Sequence, residues 1–211
     1  MNSRTQRFML RGAAGALECA LDLPHDGSHT GPRGIALIAH PHPLYGGTMD
    51  NKVAQTLART FVALGYAAAR MNFRGVGKSE GEHDAGRGET DDMALLLSHM
   101  QEQYPGLPVA LCGFSFGTFV QAHLQQRLTE QGKPAERLVL VGTAAGKWEV
   151  PPVPANTIVI HGELDETIPL ADVFDWARPQ DLPVIVIPGA DHFFHRKLQH
   201  IKNFVVEMWH R

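Results

Sequence analysis

Cysteine, basic charge and long apolar runs are all scarce in this chain of 211 residues. Its two cysteines, Cys19 and Cys112, predict neither a disulfide framework nor a metal-binding or redox motif. No apolar run reaches the length of about eighteen residues that a membrane-spanning helix needs, and the polar first residues do not resemble a signal peptide. A net charge of −3 offers no basic surface for nucleic acid or for an anionic membrane. We therefore expect a cytoplasmic protein that acts on a small molecule.

The remaining composition is that of an ordinary globular protein. Hydrophobic residues make up 44% of the chain and charged residues 19%, which argues against disorder. No repeat, linker or low-complexity segment divides the sequence, so we expect one domain over residues 1–211. The composition gives no indication of the oligomeric state.

Segments with strand and helix signals alternate along the chain. The apolar run 34–40 is typical of a strand buried on both faces, whereas Val53 and Leu57 recur at helical spacing after Asp50, a candidate N-cap, and before Gly65, a candidate stop. Strands are predicted at 7–10, 16–23, 34–40, 66–72, 108–112, 138–142, 157–161 and 184–187, and helices at 50–64, from about 90, and at 116–131, 170–177 and 196–209. This alternation predicts an α/β fold with a mostly parallel central sheet of about eight strands and helices on both faces.

The most specific motif is Gly-Phe-Ser-Phe-Gly at 113–117, which has the pattern Gly-x-Ser-x-Gly. An apolar strand precedes it and a helix follows it. So tight a turn holds the serine in a strained conformation, and glycine on both flanks removes the Cβ atoms that would clash there. The turn exposes the hydroxyl of Ser115 at the carboxyl edge of the sheet, where ligands bind in open α/β folds. Ser115 is therefore the predicted nucleophile.

A serine hydroxyl needs a neighbouring base before it can act as a nucleophile. In folds of this kind the order along the chain is serine, acid, histidine. Asp165 follows the predicted strand at 157–161, and His192 follows the predicted strand at 184–187. Both should therefore lie at the same sheet edge as Ser115. We predict that His192 is the general base and that Asp165 orients it through its Nδ1–H. Glu163 is a rival for the acid, and Asp191 is interpreted as a turn or capping residue.

Two further loops carry motifs. Residues 40–47 are His-Pro-His-Pro-Leu-Tyr-Gly-Gly and lead to Asn-Lys at 51–52, and residues 72–79 are Asn-Phe-Arg-Gly-Val-Gly-Lys-Ser. Together with the serine motif, they resemble the α/β-hydrolase superfamily over nearly the whole chain, and within it a small lidless bacterial subgroup with the His-Pro-His-Pro-x-x-Gly-Gly loop. The resemblance implies Ser115, Asp165 and His192 as a catalytic triad. It leaves the substrate open, since the superfamily acts on esters, thioesters and amides.

An acyl-transfer enzyme also needs N–H donors for the oxyanion. The N–H of Phe116, at the start of the helix after the nucleophile, is one predicted donor, and the loop after the strand at 34–40 should supply the second. Pro41 and Pro43 have no N–H. His42 is therefore the predicted second donor, with Leu44 as the alternative.

Other patterns in these loops indicate little further chemistry. His40 and His42 form a His-x-His pair without a third ligand at a recognisable spacing, so neither a metal nor a cofactor is expected. Residues 75–79 resemble the end of a phosphate-binding loop, but Asn72 stands where that motif requires glycine. Arg74 can brace the site or form a surface salt bridge, and the sequence does not decide between them.

The sequence thus predicts a serine hydrolase, a carboxylesterase or thioesterase of small acyl substrates that works through an acyl-enzyme. A non-catalytic binding protein of the same fold is the alternative, although the intact triad and flanking glycines favour the enzyme. The proline-rich segment 143–156 is too short for a helical cap, so we expect no lid domain and a preference for short acyl chains. Aromatic residues are the expected pocket walls, although aromatic residues at such positions can equally belong to the core: Tyr45, Phe114, Phe116, Trp148 and Phe193.

Overall fold

The computed structural model describes residues 5–24 and 31–209. The strands in these residues are β1 (Gln6–Gly12), β2 (Gly15–Asp22), β3 (Gly34–Ala39), β4 (Tyr66–Met71), β5 (Val109–Phe114), β6 (Arg137–Val141), β7 (Ile158–Gly162) and β8 (Val184–Ile187). The helices are α1 (Lys52–Ala63), α2 (Arg87–Gln103), α3 (Phe116–Glu130), α4 (Leu170–Ala177) and α5 (Leu198–Trp209), with short 3₁₀ turns at Pro43–Tyr45 and Arg178–Gln180. Residues 25–30, between the predicted strands at 16–23 and 34–40, lie outside the described residues.

The eight strands form one sheet in the order β1-β2-β4-β3-β5-β6-β7-β8. β1 and β2 form an antiparallel hairpin, β2 pairs antiparallel with β4, and the other neighbours are parallel. The predicted mostly parallel sheet is confirmed, and each predicted strand ends within two residues of its observed bounds. The hairpin turn is tighter than predicted, because the strands extend to Gly12 and Gly15 and leave only Ala13 and Ala14 between them.

Helices cover both faces of the sheet, as predicted. α1 and α5 pack on one face, and α2 and α3 pack on the other. β3 contributes to both layers, since Ala36 and Ile38 join the core under α1 and α5, whereas Ile35 and Leu37 join the core under α2 and α3. All residues of β3 are buried. This explains why its sequence is a continuous apolar run rather than an alternating one.

The N-cap of α1 is Asn51 and not Asp50, which the sequence favoured. The side-chain oxygen of Asn51 accepts a hydrogen bond from the N–H of Val53 at 2.8 Å. The carboxylate of Asp50 instead forms ion pairs with Arg7 of β1 and Arg70 of β4. Both residue types are good caps, so partners that are distant in sequence decide which of them caps the helix.

The second helix also begins earlier than predicted, at Arg87 rather than near Thr90. Glu89 lies in its first turn and folds back to accept a hydrogen bond from the N–H of Gly86 at 2.8 Å. This hydrogen bond supplies an acceptor for an N–H at the helix start. The helix can therefore begin about one turn before its apolar stripe. The apolar pattern alone therefore placed the start too late.

The carboxyl ends of the parallel strands meet at one edge of the sheet, and the loops after β3, β5, β7 and β8 lie there. Residues 142–157, between β6 and β7, are all described and contain no helix, so no lid is inserted at that position. Within the described ranges, none of the helices is both long and apolar enough to cross a bilayer.

Candidate active site

Ser115 lies between β5 and α3, in the sharp turn that the glycine pattern predicts. Its backbone has φ 53° and ψ −123°, which is rare for a residue with a side chain. Its N–H donates to the carbonyl of Val141 at 2.9 Å. A Cβ atom on Gly113 would collide with the carbonyl of Gly117, and one on Gly117 would collide with the carbonyl of Ala39. Both glycines are therefore required for the close approach of α3 to the sheet that holds the serine at its edge.

His192 and Asp165 lie beside Ser115, on the loops after β8 and β7. The Nε2 atom of His192 is 3.0 Å from Oγ of Ser115, and its Nδ1 atom is 2.7 Å from Oδ2 of Asp165. Since a carboxylate only accepts hydrogen bonds, Nδ1 carries a proton, and Nε2 of the neutral ring accepts from the serine hydroxyl. The structure thus brings together, in buried positions, the three residues that the sequence assigned to nucleophile, base and acid.

Backbone donors also hold the carboxylate of Asp165. Its Oδ1 atom accepts hydrogen bonds from the N–H of Thr167 at 2.9 Å and of Ile168 at 2.7 Å. Burial acts to raise the pKa of Asp165, but the hydrogen bonds from His192 and Ile168 outweigh burial and hold that pKa below its ordinary value of 3.8. Asp165 is therefore charged at neutral pH and fixed through both of its oxygens.

A further histidine, which sequence reasoning missed, packs against this carboxylate. His161, near the end of β7, donates from Nε2 to the carbonyl of Ile168 at 2.9 Å, and the same atom is 3.5 Å from Oδ2 of Asp165. Burial lowers the pKa of His161, so the ring is neutral at neutral pH. Its buried Nδ1 atom has no hydrogen-bond partner among the residues described. The one signal in the sequence is its position four residues before the predicted acid.

The rival acids have other partners. Glu163 is exposed and accepts a hydrogen bond from the N–H of Gly189 at 2.7 Å. Asp191 accepts from the N–H of His195 at 3.0 Å and lies 2.6 Å from Nδ1 of the same residue. In the described structure neither carboxylate is bonded to His192, which agrees with the choice of Asp165 and with a turn role for Asp191.

The two predicted oxyanion donors have free N–H groups. Over the described ranges, neither the N–H of His42 nor that of Phe116 donates a hydrogen bond. The N–H of Leu44, the alternative donor, is already donated to Nδ1 of His42 at 3.2 Å. The rings of His42 and Phe116 lie in contact, with centroids 4.8 Å apart. The geometry therefore favours His42 over Leu44.

His40 connects two loops of the sheet edge. Its Nδ1 atom donates to the carbonyl of Pro41 at 2.6 Å, and its Nε2 atom accepts from the N–H of Phe73 at 2.9 Å. Burial lowers the pKa of His40 to about 4, so the ring is neutral. Both ring nitrogens are occupied, which leaves none for a metal. Across residues 5–24 and 31–209, no cluster of three candidate metal ligands is found.

Arg74 braces the segment after β4. Its Nε and Nη2 atoms donate to the two oxygens of Asp92 at 2.8 and 2.9 Å, and Nη2 also donates to the carbonyl of Gly88 at 2.9 Å. The side chain of Asp92 is only 2% exposed. The structure therefore decides the question that the sequence left open, since this pair is buried and ties the loop to the first turns of α2.

A cavity of about 340 Å³, called here the proximal cavity, opens beside Ser115. Tyr45 and Phe193 line it and are 87% and 47% exposed. The prediction was wrong for the other three walls. Phe114 and Phe116 are buried in the core, and Trp148 packs on the ring of His42, with centroids 5.5 Å apart. Two exposed rings therefore line the same cavity as Ser115.

The sheet, together with the order of serine, acid and histidine along its strand ends, defines the α/β-hydrolase superfamily. The chain belongs to the hydrolase family described as serine aminopeptidase, S33, whose model matches residues 32–186. An uncharacterized protein of Rickettsia prowazekii is 34% identical over 182 residues, which cover 81% of this chain and 76% of that protein. A lysophosphatidylserine lipase of Danio rerio is 32% identical over 106 residues, which cover 48% of this chain and 28% of the lipase.

Solved structures place the chain in the same class. An α/β serine hydrolase without a lid from Xanthomonas campestris is similar with a TM-score of 0.88 and 33% identity, over 99% of this chain and 94% of that one. An α/β serine hydrolase homologue from Coxiella burnetii is similar with a TM-score of 0.82 and 32% identity, over 96% of each chain. These similarities extend over nearly the whole length of each chain, so the lidless fold is confirmed and the protein is a hydrolase by family.

Proposed function

We propose that this protein is a serine hydrolase that cleaves carboxylic esters or thioesters of small acyl groups through an acyl-enzyme. In this proposal Ser115 is the nucleophile, His192 is the general base and Asp165 orients His192. One observation carries the proposal, the pair of hydrogen bonds of 3.0 Å and 2.7 Å that join Ser115 to His192 and His192 to Asp165. The steps require neither a metal nor a cofactor.

In the first half-reaction, Oγ of Ser115 attacks the acyl carbon while its proton passes to Nε2 of His192. The tetrahedral intermediate then collapses, His192 returns the proton to the leaving alcohol or thiol, and the acyl group stays on Ser115. In the second half-reaction water attacks the acyl-enzyme, His192 takes its proton, and the acid is released as the serine recovers that proton. The carboxylate of Asp165 stabilises the imidazolium in both steps.

The N–H groups of His42 and Phe116 complete the proposal as donors to the oxyanion. Among the described residues neither N–H donates a hydrogen bond, and the rings of His42 and Phe116 are in contact. Both observations support this role. The loop that carries His42 also contains the His-Pro-His-Pro-x-x-Gly-Gly pattern. We therefore propose membership in the small lidless subgroup with that loop.

The lining of the proximal cavity favours an ester over the N-terminus of a peptide. An aminopeptidase must hold a free ammonium group, and a carboxylate would stabilise it. The proximal cavity is lined by Lys147 and, among residues that the structure fully describes, by no carboxylate. This charge pattern supports an uncharged or anionic acyl substrate.

The site offers little cover for a long acyl chain. Residues 142–157 form no helix, and both aromatic residues of the proximal cavity, Tyr45 and Phe193, are exposed. Burial of apolar area contributes about 25 cal/mol per Å², and an open site recovers little of this free energy. We therefore expect a preference for short acyl chains and no activation at lipid interfaces.

A series of para-nitrophenyl esters and matching thioesters, from acetate to laurate, tests the proposal. We expect kcat/KM to be highest for the short members and the rate to show no jump above the critical micelle concentration. A Ser115→Ala variant is the control for background hydrolysis. A steady rise of kcat/KM up to laurate would contradict the open site, and equal rates with the Ser115→Ala variant would contradict the nucleophile.

The alternative, a non-catalytic binding protein of the same fold, is tested by a fluorophosphonate probe. This reagent forms a covalent bond only with an activated serine. We expect the folded protein to take up the label and the Ser115→Ala variant to take up none. Folded wild-type protein that remains unlabelled would support the alternative.

A further inference from the structure

A second cavity of about 360 Å³ adjoins the proximal cavity. Gly46, Asn51 and Phe193 line both cavities, which places them side by side. The second cavity, called here the distal cavity, is also lined by Lys52 at the start of α1 and by Arg196 in the loop after β8. The proposed acyl transfer at Ser115 makes no use of it.

The two cations of the distal cavity have no counterion within the protein. In the described part of the chain, neither Lys52 nor Arg196 forms a salt bridge or a side-chain hydrogen bond. Asp50 is the one carboxylate of the lining, and it already pairs with Arg7 at 2.7 Å and with Arg70 at 3.3 Å. The one carboxylate of the lining is therefore already compensated.

The remaining titratable group of the lining is also occupied. The Nδ1 atom of His195 lies 2.6 Å from Oδ2 of Asp191, outside the lining. Lys147, in the proximal cavity, likewise has no ion-pair partner among the described residues. The two adjoining cavities therefore present three exposed positive charges without an ion-pair partner among the described residues, although the chain as a whole carries a net charge of −3.

The backbone of the loop after β8 holds Arg196 in a strained conformation. Its φ is 62°, which favours glycine, and glycine there would relieve the strain but remove the charge from the distal cavity. Phe194, with φ 53°, is fully buried, and its N–H donates to the carbonyl of Asp191 at 3.1 Å. A buried anchor thus fixes the loop. Strained residues that are held in this way cluster at ligand-binding positions.

We propose that the distal cavity binds an anionic group of the substrate, so that the protein prefers esters with a carboxylate or comparable anion away from the scissile bond. This inference rests on the proposed function, because both cavities act on one substrate. The reacting carbonyl lies at Ser115, the intervening part of the substrate passes Phe193, and the anion lies with Lys52 and Arg196. The net negative charge opposes this binding weakly, since charges separated by more than about 8 Å are screened at physiological salt.

Two pairs of esters of matched size test the proposal. For an anion on the acyl side, the hydrogen glutarate ester of para-nitrophenol is compared with its neutral valerate ester. For an anion on the alcohol side, para-acetoxybenzoate is compared with its methyl ester. We expect wild type to prefer the charged member of at least one pair, and that pair identifies the side. In the Lys52→Gln/Arg196→Gln variant, we expect the charged-to-neutral ratio of kcat/KM to fall by about tenfold.

A variant with Lys133→Gln and Arg33→Gln is the matched control, because it removes the same charge from exposed residues at the opposite edge of the sheet. We expect its ratio to stay within about twofold of wild type, and added sodium chloride to reduce the wild-type preference, since salt screens exposed charges. An unchanged ratio in the Lys52→Gln/Arg196→Gln variant would overturn the proposal. So would a wild-type preference for the neutral member of both pairs.

If the protein is not an esterase, the wild type hydrolyses none of the four esters faster than the Ser115→Ala variant does. In that case a binding measurement tests the distal anion site. Glutarate should raise the Tm of the Ser115→Ala protein, and this shift should be lost when Lys52→Gln and Arg196→Gln are added. Equal shifts in the two proteins would overturn the distal anion site independently of any catalysis.

Discussion

Two buried polar regions of this molecule each contain a carboxylate and a serine. They differ in whether the last group of the hydrogen-bonded chain faces a cavity or another part of the protein. At the carboxyl edge, Asp165 bonds to His192 and His192 bonds to Ser115, and the last group of this chain lines the proximal cavity. In the polar cluster around Glu18, between β2 and the segment after β4, the hydrogen bonds return to the protein. Both regions are almost completely buried.

The cluster around Glu18 is closed by backbone and side-chain donors. Its Oε2 atom accepts from Nδ2 of Asn72 at 2.8 Å and from the N–H of Lys78 at 3.0 Å. Oγ of Ser79 accepts from the N–H of Glu18 at 2.9 Å and donates to the carbonyl of Asn72 at 2.7 Å. Burial acts to raise the pKa of Glu18, but the hydrogen bonds from Lys78 and Asn72 hold it below its ordinary value of 4.5.

The comparison shows that burial and a perturbed carboxylate do not by themselves mark a functional site. Asp165 and Glu18 both have lowered pKa values for the same physical reason. The difference is that the Asp165 chain ends at a strained residue beside open space, whereas the cluster around Glu18 has neither feature. We therefore expect equivalent substitutions to change activity in one region and stability in the other.

Replacement of the proposed nucleophile should have the largest effect. We expect Ser115→Ala to lower kcat for a short ester by about 10⁶-fold, while the free energy of unfolding changes by less than about 1 kcal/mol. Ser115→Gly should be equally inactive but more stable than Ser115→Ala by about 1 kcal/mol, since glycine tolerates positive φ. Ester hydrolysis and urea unfolding measure both effects. Activity within a few-fold of wild type would contradict the assignment.

The next largest effect is expected from Asp165→Asn, at about 10⁴-fold in kcat. The new amide group can donate a hydrogen bond to Nδ1 of His192, which favours the tautomer with its proton on Nε2 and so removes the acceptor for Ser115. Glu163→Gln is the matched control, because Glu163 is exposed and bonds to Gly189 instead. Steady-state kinetics on a short ester distinguish them, and a loss with Glu163→Gln as large as with Asp165→Asn would contradict the choice of acid.

The same chemical change in the cluster around Glu18 should lower stability rather than activity. In Glu18→Gln the amide oxygen can still accept from Asn72 and Lys78, but the amide NH2 then faces Nη1 of Arg7, which donates to Oε1 of Glu18 at 3.3 Å. Because two donors then face each other, we expect the free energy of unfolding to fall by about 1–3 kcal/mol. The kcat of the protein that remains folded should stay within about threefold of wild type. Urea unfolding followed by circular dichroism gives the first quantity. A large loss of kcat without a loss of stability would show that the two regions are coupled.

The smallest effect concerns pH and His40, which joins the loop after β3 to the segment after β4. Its pKa is about 4 in the folded protein and 6.5 ordinarily, so the unfolded chain binds the proton more readily between these values. Stability should therefore be complete above pH 6.5 and be lost as the pH falls towards 4, by about 1–2 kcal/mol between pH 7 and pH 5 from this residue. Urea unfolding of wild type and of His40→Gln, which keeps a donor and an acceptor, should show a weaker pH dependence in the variant.

The sequence was sufficient for features that depend on local pattern and on strand order. Ser115 could be found because glycine on both sides is a steric requirement of a strand-to-helix turn. Asp165 and His192 could be placed near it because the carboxyl ends of parallel strands meet at one edge. These arguments need no knowledge of side-chain packing.

Most of the missed features depend on partners that are distant in sequence, whereas the late predicted start of α2 reflects a local bond between Glu89 and Gly86. Asp50 is as good a cap as Asn51 until Arg7 and Arg70 approach it from two strands. The role of His40 depends on the N–H of Phe73, which lies 33 residues away. The expected aromatic walls failed for the same reason, since a sequence does not show which rings the sheet covers.

The distance along the chain between Ser115 and His192 has a consequence for folding kinetics. These residues are separated by 77 positions, and His192 follows β8, which is the last strand in the order of the sheet. The nucleophile turn can form early from local contacts between β5 and α3, whereas non-local contacts form more slowly. During refolding, catalytic competence should therefore lag behind the recovery of helical signal, and its appearance marks the moment at which the final edge strand docks.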